Sequence, residues 1–482
     1  MKTTVYRIII LLLLITEYFI QAKGQENHDS LFRYIDIALK NNPLVQQKFY
    51  EYQASVERVR QTGTLPDPEL SAGVFLKPME IVTGLQYADL ALMQMFPWFG
   101  VLKNAREETN LMSRAKYEAF RDAGEQISFE VRKTWYELYK IRKNISTVEK
   151  NIGILNTIEG LVLEKFRTGA GGGTMGSSAG MNMTAVSTSS AAQSAGSQGM
   201  QNMGGNMQSS SGAQPQMDSK PAGMPSTSPG TGLYDLYLIQ IEAGNLQNSL
   251  DYLKDEERSV KSLFNTYLSR DPGSDVFTPD TLAAGPLPVT VTAIPDSITA
   301  NNAMLSMLDY ERQSYTYKKR MSELMGYPMF GLGLNYSVIG KSEMSGSSMN
   351  GGDMIMPMVR ITIPVNRKKY SAMQKEASLL ELAASNSYRN MYNNLQAEYY
   401  ATMKMYNDAQ RRVALYKNQY DLAGKSFELV LKNYSVNKSD LTEVLRIEQQ
   451  ILDYELKQNE AVADLNTAIA IFRRLMSLPP VR

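Results

Sequence analysis

The chain has 482 residues, no cysteine, one histidine, and 50 basic against 49 acidic residues. The balanced charge gives no indication of nucleic-acid binding, and without cysteine there is no disulfide framework, thiolate nucleophile or cysteine-type zinc site. Because His28 is the single histidine, Ser-His-Asp catalysis and histidine metal sites are excluded too, and this inventory predicts a protein that is not an enzyme.

The N-terminus has the pattern of a secretory signal. Basic residues flank an apolar run, residues 8–15, which is shorter than the ~20 residues that a membrane span needs. Ala22 and Gly24 are small residues that suit cleavage before Gln25, so we expect a signal peptide over residues 1–24; an N-terminal membrane anchor is the alternative. No later stretch predicts a transmembrane helix, so a mature chain that enters a membrane must do so as β-strands.

The first half of the chain alternates between the helical and the strand period. Apolar residues at three- and four-residue steps predict helix over residues 31–62, with an interruption at residues 41–43, and prolines end this stretch. A two-residue alternation predicts two strands over residues 68–96, separated by a turn region at residues 77–84. Residues 101–166 contain no proline, and their apolar stripe predicts one helix that would reach ~100 Å at ~1.5 Å per residue.

Residues 170–231 interrupt this half with a low-complexity segment, the insert. Gly, Ser, Ala, Gln, Pro and Met make up nearly all of it, so it cannot bury enough apolar surface to offset the entropy of ordering, and we expect it to be disordered. Helix resumes over residues 233–270 and completes a first structural repeat, residues 25–270. A linker rich in proline, glycine and threonine spans residues 271–295.

The second half, residues 296–482, repeats the order of the first. One helix over residues 296–324 precedes two strands within residues 329–364, a long helix over residues 367–434 and a return helix over residues 440–476. The two long helices end 268 residues apart, whereas the return helices align at an offset of 206. The difference of 62 is the length of the insert, which therefore lies in the turn between two antiparallel helices.

Each half offers two strands, so the chain offers four. Four strands cannot close a barrel, and open sheet edges are not tolerated in lipid, whereas three chains would pool twelve strands. We therefore predict a mainly α protein whose membrane β-strands form a shared barrel, with the long helices projecting from it as a hollow cylinder. A long helical bundle with two exposed hairpins is the alternative.

Five short motifs mark the boundaries of the predicted elements. They are ALKNNPL at residues 38–44, LPDPEL at 65–70, PWFG at 97–100, YSV at 434–436 and DLTEVL at 440–445. With these motifs in this order, the chain resembles the TolC family of outer-membrane efflux factors over essentially its whole mature length.

The resemblance implies a homotrimer in the bacterial outer membrane. A twelve-strand β-barrel, with four strands from each chain, would be continuous with a long α-helical coiled-coil tunnel in the periplasm. The resemblance also implies a passive exit duct that docks to a periplasmic adaptor (membrane fusion) protein and an inner-membrane RND-type pump.

The resemblance further implies a gate at the periplasmic tip, where a Tyr, an Asp and an Arg hold the entrance of such channels shut. Tyr434 matches the Tyr and Asp235 matches the Asp, but Ser439 stands at the Arg position with Lys438 beside it. A contact between Lys438 and Asp235 is the expected substitute. Solvated turn residues without a gating role are the alternative.

Methionine is the unusual side chain of the insert. Thioether sulfur is a soft, neutral ligand that suits Cu(I) and, by the same logic, Ag(I), and it needs no deprotonation. The candidate metal ligands are Met175, Met181, Met183, Met200, Met203, Met207, Met217 and Met224. A second group comprises Met344, Met349, Met354, Met356 and Met358, of which we expect the last three to pack at the barrel surface or lumen.

Three functions stay open at this point. The preferred one is the exit duct of the heavy-metal (CusC-like) branch, exporting Cu(I), Ag(I) or another heavy metal with no resident cofactor. In this function the insert collects metal or strengthens adaptor docking. The second is a duct for drugs or type I secretion with an incidental methionine-rich loop. The third is a secreted helical metal-binding protein without conduit activity.

Overall fold

A computed structural model describes residues 30–170, 231–346, 348, 350–436 and 438–478. The predicted signal peptide and the eight insert methionines lie outside the described residues. The chain divides into two compact units: the second is Ile152–Asn245, and the first comprises the rest.

The described helices account for most of the chain. They are α1 Ser30–Asn41, α2 Pro43–Gln61, α3 Val101–Ala170, α4 Thr231–Tyr267, α5 Ile294–Asn301, α6 Ala303–Leu324, α7 Arg367–Ser435 and α8 Leu441–Leu475. Helices α3 and α7 are 70 and 69 residues long, several times the average for a globular protein. None of the described helices combines the length and the apolarity that a membrane crossing requires.

Two buried asparagines begin helices in corresponding ways. Asn42 precedes Pro43 at the start of α2; its Oδ1 accepts from the backbone N–H of Leu44 at 3.0 Å, and its Nδ2 donates to the carbonyl of Tyr267 at 3.1 Å. Asn302 caps α6, and its Nδ2 donates to the carbonyl of Leu475 at 2.9 Å.

The prediction of one helix over residues 296–324 is therefore wrong, because helix α5 stops at Asn301 and α6 begins at Ala303. Asn302 has extended dihedral angles (φ −62°, ψ 123°), close to those of Asn42 (φ −67°, ψ 125°), and its Oδ1 accepts from the N–H of Leu305 at 3.1 Å. A side chain that caps a new helix start in this way satisfies a backbone donor that would otherwise lack a partner.

The first unit contains two hydrophobic clusters. One joins α1 to α3 and α4 through residues such as Ile35, Trp135 and Phe264, and the other joins α5 and α6 to α7 and α8 through residues such as Leu305 and Phe472. Burial of these apolar side chains is the main stabilising contribution.

The segment between α4 and α5 is held against the helices although most of it lacks regular structure. The indole Nε1 of Trp135 donates to the carbonyl of Phe277 at 3.0 Å, and the backbone N–H of Leu282 donates to the hydroxyl of Tyr139 at 3.0 Å. Farther along, the N–H of Gly285 donates to Oδ1 of Asn466 on α8 at 3.0 Å. These contacts fix the path of the predicted linker.

Four strands form one antiparallel sheet in the order β1-β2-β3-β4. They are β1 Glu69–Ile81, β2 Gly84–Phe96, β3 Met329–Gly340 and β4 Met354–Thr362. The prediction of a mainly α protein with four strands is confirmed.

The predicted turn region at residues 77–84 is too long, because β1 continues to Ile81 and only Val82 and Thr83 separate it from β2. The register between β1 and β2 shifts between Val74 and Met79. An irregularity of this kind breaks the two-residue alternation without ending the strand, which explains why the pattern alone indicated a turn.

Candidate functional site

The sheet has two chemically different faces. Directly paired residues of antiparallel strands point to the same side, so the register assigns each side chain to a face. The assignment is made over residues 69–74, 88–96, 329–338 and 354–362, where the register is unbroken.

The first face, called the apolar face, carries the branched and aromatic apolar residues. These are Leu70, Val74, Leu90, Leu92, Phe96, Phe330, Leu332, Leu334, Val338, Ile355, Val359 and Ile361. Many of them are open to the surroundings of the single chain: Leu70 is 72% exposed, Val359 71% and Leu92 50%. An exposed apolar surface of this extent marks an interaction with a membrane or another protein.

Aromatic rings border the apolar face where the strands meet the helices. Trp98 stacks on Tyr327 with ring centroids 5.1 Å apart and on Phe330 at 5.9 Å. Gly100 follows with φ +88°, a conformation that favours glycine, and turns the chain into α3. Aromatic residues at this level are typical of the boundary between a membrane interior and water.

The opposite face, called the methionine face, carries methionines among polar residues and glycines. The methionines are Met93, Met95, Met329, Met354, Met356 and Met358. The polar residues are Glu69, Ser71, Asp89, Asn335, Ser337, Arg360 and Thr362. The methionines of β4 that were expected at the barrel surface or lumen thus lie together with two of β2 and one of β3.

Both edges of the sheet lack a neighbouring strand within the described part of the chain, since β1 and β4 are the outer strands. An edge strand presents unpaired N–H and C=O groups, which favours pairing with another chain.

The residues predicted to form the gate are divided between the two units. Tyr434, in the last turn of α7, is buried at 4% exposure, and the hydroxyl of Ser439 donates to the carbonyl of Val430 at 3.1 Å. Asp235 belongs to α4 within the second unit. The predicted contact of Asp235 with Lys438 joins residues of different units and stays a prediction.

A partly buried group of charged residues in the first unit was missed by sequence reasoning. Arg474 on α8 pairs with Glu398 on α7, donates to Oε1 of Gln126 on α3 at 3.0 Å, and lies over the ring of Phe129 at 5.0 Å. Charged residues inside long amphipathic helices are usually solvated, and the sequence pattern offers only the acidic spacing of residues 118, 122 and 125 as a signal.

Burial perturbs the ionisation of this group. Desolvation raises the pKa of Glu125 from 4.5 to about 7, against the opposing attraction of Arg132 and Arg121. Desolvation also raises the pKa of Asp122 and lowers that of Arg132. Among the described residues there is no group of three or more His, Cys, Asp or Glu side chains suited to a metal ion.

Comparison with known proteins identifies the fold. No family model and no curated protein sequence matches the chain. Solved structures do match: the outer-membrane channel OprN is similar with 15% identity and a TM-score of 0.67, covering 94% of this chain and 90% of that one.

Two further structures match to the same extent. The outer membrane protein VceC from Vibrio cholerae has 14% identity and a TM-score of 0.65, covering 92% of this chain and 95% of its own. CusC, a protein that forms a transmembrane channel, has 12% identity and a TM-score of 0.66. The match covers 93% of this chain and 92% of CusC.

The chain therefore has the fold of bacterial outer-membrane channels. This is the fold of the TolC family, and the prediction made from the motifs is confirmed at that level.

Proposed function

We propose that this protein is the outer-membrane channel of a tripartite efflux system, a passive exit duct in the bacterial outer membrane. The observation that carries the proposal is the sheet with one exposed apolar face, an aromatic border and a polar opposite face. Strands β1 to β4 have 9 to 13 residues, which suits the ~9–11 residues that a tilted transmembrane strand needs.

The open sheet edges support a homotrimer. Because lipid does not tolerate unpaired backbone groups, β1 of one chain would pair with β4 of the next, and three chains would close a twelve-strand barrel. The long helices would continue the barrel as a periplasmic tunnel, with an adaptor protein and an RND-type inner-membrane pump as partners.

The asparagine contacts support an internal repeat. Asn42 and Asn302 are 260 residues apart, each begins a helix that leads to a strand pair, and each binds a carbonyl at the end of a return helix. The helix before each strand pair is thereby attached to the last helix of the same half.

The proposed cargo is Cu(I) or Ag(I). The methionine content of the insert supports this cargo through the soft-ligand chemistry of thioethers, and CusC is among the similar structures. A duct for drugs or type I secretion remains the alternative cargo class, and a secreted metal-binding protein without conduit activity is the alternative of another class.

Adjacent residues of β3 test the membrane assignment. Leu334 lies on the apolar face and Asn335 on the methionine face, so Leu334→Arg puts a charge into lipid, at a cost of ~2–4 kcal/mol per chain near the midplane. Asn335→Arg puts the same charge into the lumen.

We expect Leu334→Arg to reduce the heat-modifiable trimer in the outer-membrane fraction several-fold. We expect Asn335→Arg to preserve the trimer and change single-channel conductance in planar bilayers. Wild-type trimer levels for Leu334→Arg together with an unchanged conductance for Asn335→Arg contradict the proposed orientation, and a wild-type protein without conductance contradicts the duct itself.

Deletion of residues 170–231 tests the role of the insert. Reduced copper and silver tolerance with intact pull-down of the adaptor supports metal collection. Unchanged tolerance with lost pull-down assigns the insert to adaptor docking instead.

A further inference from the structure

The methionines of the sheet are sorted by face. Over the part with unbroken register, all six methionines lie on the methionine face, and that face carries no Leu, Ile, Val or Phe. The apolar face carries every Leu, Ile, Val and Phe of this part and none of the methionines, although Gln94 and Tyr336 lie on it as well. If methionine served only as an apolar filler, it would be expected on either face, because lipid and packing accept both kinds of side chain.

Two of the sulfurs converge above a glycine. A Cβ on Gly331 would stand 2.6 Å from Sδ of Met95 and 3.1 Å from Sδ of Met93. The two sulfurs are therefore separated by no more than the sum of these distances. Glycine at this position leaves the space that both thioethers occupy.

The row continues toward the edge of the sheet. Sδ of Met93 also lies 3.0 Å from the Cβ position of Gly333, and the register pairs Gly333 with Met358 on β4. Met356 and Met354 follow on the same face of β4, with 48% and 40% exposure. Arg360 is the one cation on this face, and Glu69 and Asp89 are its anions.

We propose that the methionine face binds soft monovalent cations, Cu(I) or Ag(I), with the paired sulfurs of Met93 and Met95 as the first site and the row on β4 as the continuation. The inference rests on the proposed function, in which this face lines the lumen. Neutral thioethers bind such ions without releasing protons. Met93 is buried at 5% exposure, so the exposed methionines of β4 would give an ion access to the inner pair. The methionine face would thus form a path for soft metal ions through the barrel, in addition to the methionines of the insert.

Silver ions are the probe, and the purified full-length trimer is the sample. The first variant replaces all six methionines of the face by leucine. The second replaces only Met354, Met356 and Met358, which lie on the edge strand and leave the sulfurs above Gly331 in place. The control replaces Met112, Met321 and Met373 of the helices by leucine. All samples contain the insert methionines, so silver bound by the insert contributes equally to each measurement.

Bound silver is measured after gel filtration, and single-channel currents are recorded with and without micromolar silver. We expect the six-residue variant to lose at least one silver ion per chain relative to wild type and control, and to lose the silver-dependent block of the current. The three-residue variant should lose part of the bound silver and part of the silver-dependent block. If the six-residue variant forms no trimer, the three-residue variant provides the test.

Equal silver binding and equal block in wild type and in trimeric variants overturn this inference while leaving the duct intact. A wild-type protein that forms no conducting trimer overturns the proposed function instead, whatever its silver content.

Discussion

Replacing the half-buried Glu125 by glutamine should stabilise the protein in a pH-dependent way. The carboxyl has a pKa of about 7 in the fold and 4.5 as its ordinary value. Below pH 4.5 the group is protonated in the folded and the unfolded chain, so it contributes no difference. As the pH rises toward 7, the unfolded chain releases the proton freely while the folded chain retains it, and the fold loses stability.

The loss is complete above pH 7. A raised pKa of this size corresponds to about 3 kcal/mol, at 1.36 kcal/mol for each pKa unit. Glutamine carries no ionisable proton, so Glu125→Gln should remove the loss at pH 8 and change little at pH 4.

Thermal unfolding of the purified protein in detergent, followed by circular dichroism at pH 4, 6 and 8, measures the effect. The exposed Glu428 on α7 provides the matched control, Glu428→Gln. The melting temperature of Glu125→Gln should exceed that of wild type by an amount that grows with pH. A difference that is constant from pH 4 to pH 8, or that shrinks as pH rises, refutes the reasoning.

Three further outcomes are expected. Trp135→Ala should cost ~3–5 kcal/mol in urea unfolding because it empties a buried site, whereas Trp135→Phe, which mainly removes the hydrogen bond of the indole, should cost about 1–3 kcal/mol. Asn302→Ala and Asn42→Ala should each lower the melting temperature by a similar amount, which corresponds to ~1–3 kcal/mol in the free energy of unfolding. Each variant removes a helix cap and a hydrogen bond to a return helix. A large effect of only one variant contradicts the correspondence between the two asparagines. Gly333→Ala should reduce trimer yield more than Gly331→Ala, because its Cβ would stand 2.8 Å from a backbone oxygen of β2, whereas the closest atom to the other Cβ is the sulfur of a flexible side chain.

Periodicity was sufficient to predict the long helices and the four strands. Helix α3 keeps its apolar stripe without a proline from Val101 onward, and no competing turn signal interrupts it. The helix break at Asn302 was not predicted from the sequence because Ala303 follows it. At the corresponding position Pro43 follows Asn42, and a proline there indicates a new helix start. The offset of 260 residues between the two asparagines was the signal that could have revealed it.

The two faces of the sheet were only half predictable. Alternation along one strand sorts its residues into two sets, but the register between strands decides which sets combine. The pairing of Met93 with Gly333 and of Gly333 with Met358 therefore needed the structure. The charged group around Glu125 also could not be predicted without the structure. One of its members, Arg474, is 348 residues away in the sequence from its hydrogen-bond partner Gln126.

The pairing of β2 with β3 also has a consequence in time. Met93 and its partner Gly333 are 240 residues apart. At ~5–20 residues per second, the ribosome needs on the order of tens of seconds to make the intervening chain. For that interval the β1–β2 hairpin exists without its inner neighbour, with an apolar side and an open backbone edge that invite aggregation. A chain of this topology therefore exposes an aggregation-prone hairpin until its second half has been made.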